Sequence, residues 1–371
     1  MTKSLFIAPY RQADGWGNAA KEYAKSIAKS CELAIRPIYM GSSFCELDED
    51  LLEYEFNDFR EYDTIIQNCL PHFSHYHGGC KNVLLCHLET SSLEHTSWLG
   101  HMKLMDEVWV PSTANRLSLL ESGMNPDKVK VVPIPCDIEK YKKDYGKLHI
   151  PYVNHDDFVF YFIGEYIQRK NLTALITAFH CEFEPYEQVK LVIKTNKAGY
   201  NPQQLSQEVN KKILNTKSRL RIFPNTESYK QDIVITDMLP EDHLMAMHNT
   251  CDCFVMPSHG ESWSMPTFDA MAMGNPCIVP SDTGMTEYVN KENGWIVEST
   301  SQPCMTRDAP LSDIYTARER WRHVSVSSMM SSMREAFENK EKLQRKSEKC
   351  VESSSQYSHE QVADTIKELL K

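Results

Sequence analysis

Residues 253–289 read CFVMPSHGESWSMPTFDAMAMGNPCIVPSDTGMTEYV. An apolar run over 253–256 ends in a short polar loop that carries Glu261. A helix is expected from Pro266, with Asp269 in its first turn and Gly274 as its stop. Proline suits the first turn of a helix and glycine the residue just past its end. A second apolar run, 277–280, follows directly. Strand, loop, helix and strand in that order form one unit of a parallel sheet, whose ligands gather at the carboxyl ends of the strands. Glu261 and Asp269, eight positions apart, would both face that crevice. The helix dipole favours an acid near a helix amino end in any case, so the spacing alone assigns no role.

The same pattern extends in both directions. Upstream, strands are expected at 5–9, 33–40, 64–69, 82–88, 107–111 and 129–134, with helices at 18–30 and 114–122. Between 133 and 157 the pattern gives way to a polar segment containing Pro135 and Pro151, which has the character of a domain boundary. Strands then resume at 158–163, 190–194, 233–236, 253–256 and 277–279, with helices at 171–181, 202–216, 241–249 and 266–273. Residues 299–315 read as a loop, and 324–339 and 359–370 as amphipathic helices. Alternating strands and helices with buried apolar strands imply a parallel sheet covered on both faces. The expected fold is therefore α/β, two Rossmann-like doubly wound domains facing a central cleft. The expected domains are 1–145 and 146–345, with 346–371 returning onto the first.

Bulk properties bound the function. At 371 residues, 41% of them apolar and 25% charged, the chain has the profile of a globular protein with room for two cores. No stretch approaches the roughly 20 consecutive apolar residues of a membrane helix. The amino-terminal residues turn polar too soon for a signal peptide, so a cytoplasmic location is expected. The twelve cysteines, spread through strands and helices, are expected as free thiols packed as small hydrophobes. A net charge of −11 argues against a nucleic-acid partner, which would need a basic footprint. It leaves room for an anionic small ligand, because a few local cations suffice for that. His72, His75, His77, Cys80, Cys86 and His87 crowd together, but their spacing fits no standard zinc arrangement, and no metal site is expected.

Taken together, the 253–289 string resembles the E-x7-E signature of retaining glycosyltransferases of the GT-B fold, family 4. The resemblance implies transfer of a hexose from a nucleotide diphosphate sugar to an acceptor hydroxyl, on a glycan, a lipid-linked or a small molecule, with retention of anomeric configuration. It implies no metal and no cofactor beyond the donor substrate itself. The second domain would hold the donor and the first would select the acceptor. Glu261 would accept hydrogen bonds from donor-sugar hydroxyls and steady the charge that develops at the anomeric carbon. Asp269 stands where the family usually has a glutamate on the nucleotide ribose, with a reach shorter by about 1.5 Å. Ser262, Trp263 and Ser264 replace a Gly-aromatic-Gly stretch before a helix amino terminus, a place where free backbone N–H groups bind phosphate.

The stretch FVFYFIGEYIQRKN, residues 158–171, resembles the family segment that neutralises the diphosphate. Arg169 and Lys170 would stabilise leaving-group charge, with Lys194 as a further cation. Glu165 stands where many relatives carry arginine. It would repel a diphosphate unless it pairs with Arg169 or another cation. Met238, in the loop after a strand, lies where relatives meet the nucleobase, and Gly284 and Glu287 match a family Gly-x-x-Glu pattern that is equally compatible with a structural role.

In the first half, Gly15 and Gly17 flank Trp16 in a turn that resembles the family's glycine-rich loop. His87 and Glu89, at another strand end, are candidates to orient the acceptor or take its proton. Lys21, Lys25 and Lys29 form a stripe that fits an ordinary solvated face or a peripheral contact with the inner face of a membrane. Two other functions fit the same scaffold: a nucleotide-sugar epimerase or hydrolase, and a non-catalytic nucleotide-sugar-binding protein.

Overall fold

The computed structural model describes residues 2–41, 44–306 and 317–371, which divide into two compact units. The first comprises 2–41, 44–138, 317–319 and 355–371, the second 139–306 and 320–354.

The first unit runs β1 (Lys3–Ala8), α1 (Gly15–Ser30), β2 (Glu32–Pro37), α2 (Glu49–Phe56), β3 (Thr64–Asn68), β4 (Lys81–Leu85), α3 (Trp98–Leu104), β5 (Glu107–Val110), α4 (Thr113–Glu121) and β6 (Val129–Val131). Its six strands are ordered β2-β1-β3-β4-β5-β6 and pair in parallel. The second unit runs β7 (Phe158–Glu165), α5 (Leu172–Glu182), β8 (Val189–Asn196), α6 (Pro202–Leu220), β9 (Asp232–Ile235), α7 (Glu241–His248), β10 (Cys253–Val255), α8 (Met265–Ala272), β11 (Cys277–Pro280) and β12 (Gly294–Val297). Its sheet, also parallel, is ordered β12-β11-β10-β7-β8-β9. A hairpin, β13 (Ser299–Pro303) with β14 (Arg320–Val324), and the helices α9 (Val326–Glu338) and α10 (Lys340–Ser354) complete it.

The central strands are buried throughout, as apolar runs covered on both faces must be. The helix α8 starts and stops where its residues dictate. Pro266 sits in its first turn, and beyond its end Gly274 takes φ +89° while Asn275 N–H returns to the Ala270 carbonyl at 2.8 Å. A left-handed residue with such a back-bond is a regular helix stop. The twelve cysteines are free thiols.

The last helix, α11 (His359–Leu369), belongs to the first unit and packs along α1. Ser30 Oγ donates to the Ala363 carbonyl at 2.8 Å, and His359 Nε2 lies 2.7 Å from Glu22 Oε2. The lysine stripe of α1 is taken up inside the same unit. Lys21 and Lys25 pair with Asp48 at 3.0 and 3.1 Å, and Lys29 with Glu360 at 3.0 Å. Among the described residues no helix is long and apolar enough to cross a membrane.

Three expectations need correction, and two helices were not foreseen. Residues 15–17 form the first turn of α1 instead of a loop: Asp14 caps the helix, accepting from Gly17 N–H at 3.0 Å. Part of the loop expected at 299–315 is strand β13, whose sequence STSQP shows no apolar alternation and whose partner lies far along the chain. The expected residues 307–315 fall outside the described residues. The helix expected from 324 begins at Val326, because Val324 closes β14. The helices α2 and α10 carry few buried residues, so they lack the apolar stripe by which a helix is read.

Candidate active site

The strand order of the second sheet fixes where a ligand can lie. Its first strand, β7, has β8 on one side and β10 on the other, so the connections leave in opposite directions and a crevice opens at the carboxyl ends of β7 and β10. The chain leaving β7 passes through a one-turn helix, Gln168–Lys170. It then enters α5 through Asn171 at φ 54°, ψ 40°, a left-handed conformation that asparagine tolerates better than most residues. The chain leaving β10 forms the loop that contains Glu261.

These two loops bring the principal candidates into contact. Glu261 Oε1 accepts from Arg169 Nη1 and from Lys170 Nζ, each at 2.7 Å. The three side chains are 6%, 12% and 11% exposed. Burial pushes the Glu261 carboxyl upward, but the Arg169 and Lys170 charges outweigh it and hold the group below its ordinary value. It is a carboxylate at neutral pH. Two cations against one anion leave the cluster with a net positive charge. Glu165, at the end of β7, is exposed, and Arg169 pairs with Glu261.

A backbone framework holds this cluster. The Arg169 carbonyl accepts from His259 N–H at 2.8 Å and from Ser258 Oγ at 3.2 Å, and Asn171 Nδ2 donates to the Pro257 carbonyl at 3.1 Å. On the other side, Gly284 N–H donates to the Glu261 carbonyl at 2.8 Å. A Cβ on Gly284 would lie inside contact distance of the Ser262 carbonyl, so only glycine allows this approach. Ser264 takes φ +75°, a strained setting for a residue with a Cβ. Its Oγ bonds Thr267 Oγ1 at 2.8 Å, and the Tyr288 hydroxyl donates to the carbonyls of Trp263 and Ser264 at 2.6 and 3.0 Å. The Trp263 ring is buried against Phe268 and Tyr288. Ser262 is buried in the same loop.

The remaining candidates of this unit are spread more widely. The Asp269 carboxylate is engaged by the segment just after the first unit, with Tyr141 Oη donating at 2.7 Å and Lys140 Nζ at 3.5 Å. Lys194 lies inside β8 beside Ile163, where burial lowers its pKa against the opposing pull of Asp237. Met238, 76% exposed, stands in the open loop after β9.

In the first unit, His87 follows β4 and meets the edge of the Trp16 ring, with centroids 4.6 Å apart. Its Nε2 lies 3.5 Å from Asn68 Nδ2. Burial lowers its pKa to about 4, so the imidazole is neutral at neutral pH. Glu89, two residues on, is half-buried. Gly17 makes a close approach to the Gln12 carbonyl that a Cβ would block, whereas Gly15 has open space around it. Among the described residues, no group of three or more His, Cys, Asp or Glu side chains is placed to hold a metal ion.

Three contributors escaped the sequence. Tyr141 and Lys140 meet Asp269 from 128 and 129 positions away, and His259 stacks on Trp321, centroids 4.5 Å apart. Burial pushes the His259 pKa down to about 4 against the opposing bond to the Arg322 carbonyl. Nothing in local sequence marks such partners.

Residues 149–305 match the family model described as glycosyl transferases group 1. A stretch of 128 residues is 28% identical to the serotype-specific mannosyltransferase WbdA of Escherichia coli, covering 34% of this chain and 14% of that protein. The chain thus aligns with a small part of that enzyme's length. Among solved structures, Anabaena HepE in complex with UDP and glucose superposes with a TM-score of 0.69 at 15% identity, covering 100% of this chain and 99% of HepE. Sucrose-phosphate synthase from Thermosynechococcus elongatus gives 0.65 at 12% identity, covering 100% and 98%. At these identities the likeness concerns the fold. The chain has the GT-B fold, and residues 149–305, within its second unit, match the glycosyl transferases group 1 model.

Proposed function

We propose that the protein is a retaining glycosyltransferase that moves a hexose from a nucleotide diphosphate sugar to an acceptor hydroxyl. One observation carries this reading: a buried carboxylate, Glu261, in direct contact with two cations, Arg169 and Lys170, at the strand-end crevice of the second sheet. The group 1 domain spans these residues. The mannosyltransferase name of the curated relative supports a hexose, and the UDP and glucose held by HepE support a nucleotide diphosphate sugar.

The chemistry follows from charge. As the glycosidic bond breaks, negative charge grows on the diphosphate and positive charge on the anomeric carbon. Arg169 and Lys170 are already fixed before the donor arrives, so they meet the leaving group without reorganisation. Glu261 accepts from sugar hydroxyls and steadies the carbon. Met238 and the loop 262–264 would meet the nucleotide. On the first unit, neutral His87 is able to accept a proton or orient the acceptor, with Glu89 as the alternative. The resemblance implies that no metal or further cofactor is needed.

The test is a thermal-shift screen against UDP-, GDP- and ADP-sugars, since a ligand of the native state raises Tm by mass action. It is followed by NMR of the product's anomeric configuration with the best donor. A stabilising donor and a retained configuration are expected. Inversion would remove the retaining mechanism. An epimerised donor or binding without turnover would leave, respectively, an epimerase or a nucleotide-sugar-binding protein.

A further inference from the structure

Outside the two main sheets, the hairpin of β13 and β14 pairs with no other strand among the described residues. A two-stranded ribbon is marginally stable by itself and needs a docking point. It docks at the segment after β11, where Ser299 Oγ donates to the Ser281 carbonyl at 3.0 Å, and at His259, two residues before Glu261. Trp321 and His323 lie on one face of β14, as the two-residue period requires. The His259 ring lies nearly parallel to both, at 4.5 Å and 19° from Trp321 and 5.6 Å and 17° from His323.

Hydrogen bonds continue the link in both directions. His259 Nδ1 lies 2.7 Å from the Arg322 carbonyl, which can only accept, so Nδ1 carries the hydrogen. The Arg322 N–H donates to the His259 carbonyl at 2.7 Å, and the His259 N–H donates to the Arg169 carbonyl at 2.8 Å. A second tether runs from the turn to the chain just past β13, where Gln168 Nε2 donates to the Met305 carbonyl at 2.8 Å.

We propose that His259 is a positioning residue, a wedge seated in the hairpin that holds the Arg169–Lys170 turn in register with the donor diphosphate. This rests on the reading in which that turn binds a diphosphate. The reason for a brace is geometric. The turn is a single helical turn between a strand end and a left-handed asparagine, and its two cations act only if the charge they meet lies within about an ångström of its place. The wedge fixes the main chain at Arg169 and leaves the guanidinium and ammonium groups to face Glu261.

The experiment compares UDP with UMP, and GDP with GMP, by calorimetry on the full chain. The ratio of diphosphate to monophosphate affinity reads the grip of the turn separately from that of the nucleoside. His259→Ala and Trp321→Ala should each lower the ratio by about tenfold, about 1.4 kcal/mol, with binding stoichiometry unchanged, and Trp321→Phe should restore it. An unchanged ratio, or a fall in stoichiometry alone, would overturn the proposal. If the wild-type chain shows no diphosphate preference, the diphosphate reading itself fails. The wedge is then judged from a crystal structure of His259→Ala: an Arg169 guanidinium displaced from Glu261 supports it, and an unmoved one refutes it.

Discussion

Replacing Glu261 by glutamine removes one charge and almost no volume, which makes it the sharpest test of the site. Arg169 and Lys170 have side chains only 12% and 11% exposed and both bond the same Glu261 oxygen. Deleting one partner of a buried ion pair costs about 3–5 kcal/mol. Glutamine keeps an acceptor oxygen there, so the expected loss is smaller, about 1–3 kcal/mol, on the order of 5 °C in Tm. The effect on catalysis should be larger. Removing a preorganised electrostatic group facing developing charge lowers kcat by about 10²–10³, or about 2.7–4 kcal/mol. Binding of the bare nucleotide diphosphate should move the other way. With the carboxylate gone, a negative charge that repels the diphosphate is removed from beside the two cations, and UDP or GDP should bind as tightly as in wild type or tighter. The assays are release of nucleotide diphosphate from the active donor, at saturation, and calorimetry with the nucleotide alone. Turnover within threefold of wild type would refute the role given to Glu261. A large loss of nucleotide affinity with kcat preserved would refute the charge balance drawn here.

Other perturbations probe the supports. Gly284→Ala drives a methyl group into the Ser262 carbonyl and should cost about 3 kcal/mol in urea denaturation while displacing Glu261; a loss under 1 kcal/mol would show that the loop yields. Tyr141→Phe removes the 2.7 Å bond to Asp269 and should cost about 1.5 kcal/mol; an unchanged denaturation midpoint would argue against that contact. Acid should weaken the native state over a defined window. Burial holds His87, His248 and His259 at about 4 against an ordinary 6.5, so between these values the unfolded chain binds more protons. Stability is therefore complete above about pH 6.5 and falls toward pH 4, by on the order of 3 kcal/mol for the fully buried His248 alone. Glu261, held below its ordinary value, adds its loss only at still lower pH. Denaturant midpoints that stay flat from pH 7 to 4.5 would contradict this.

Much of the site was legible because its chemistry is local. The 158–171 and 253–289 stretches each carry a strand, a loop with charged residues and a helix start, and those patterns hold over a dozen residues. The same locality explains the errors. Gly15 and Gly17 read as a loop because glycine weakens a helix, yet Asp14 caps them into α1. The stripe of Lys21, Lys25 and Lys29 could be read as a charged face, but not its partners Asp48 and Glu360, which lie elsewhere in the chain. Asp269 could be placed on its helix, but not its partners Tyr141 and Lys140.

The amino-acid sequence by itself determined the alternation of strands and helices, the two sheets, and the identity of the charged residues at the strand ends. Apolar periodicity, helix stops and turn residues act within a few positions of one another, so a linear reading captures them. Only the tertiary structure decided that Glu261 bonds Arg169 and Lys170 directly, that Tyr141 takes Asp269, and that a distant hairpin seats His259 behind the cationic turn. Those pairings join residues 62 to 128 positions apart. Their energies arise only after the sheet order has brought the loops together, and no local propensity encodes that order.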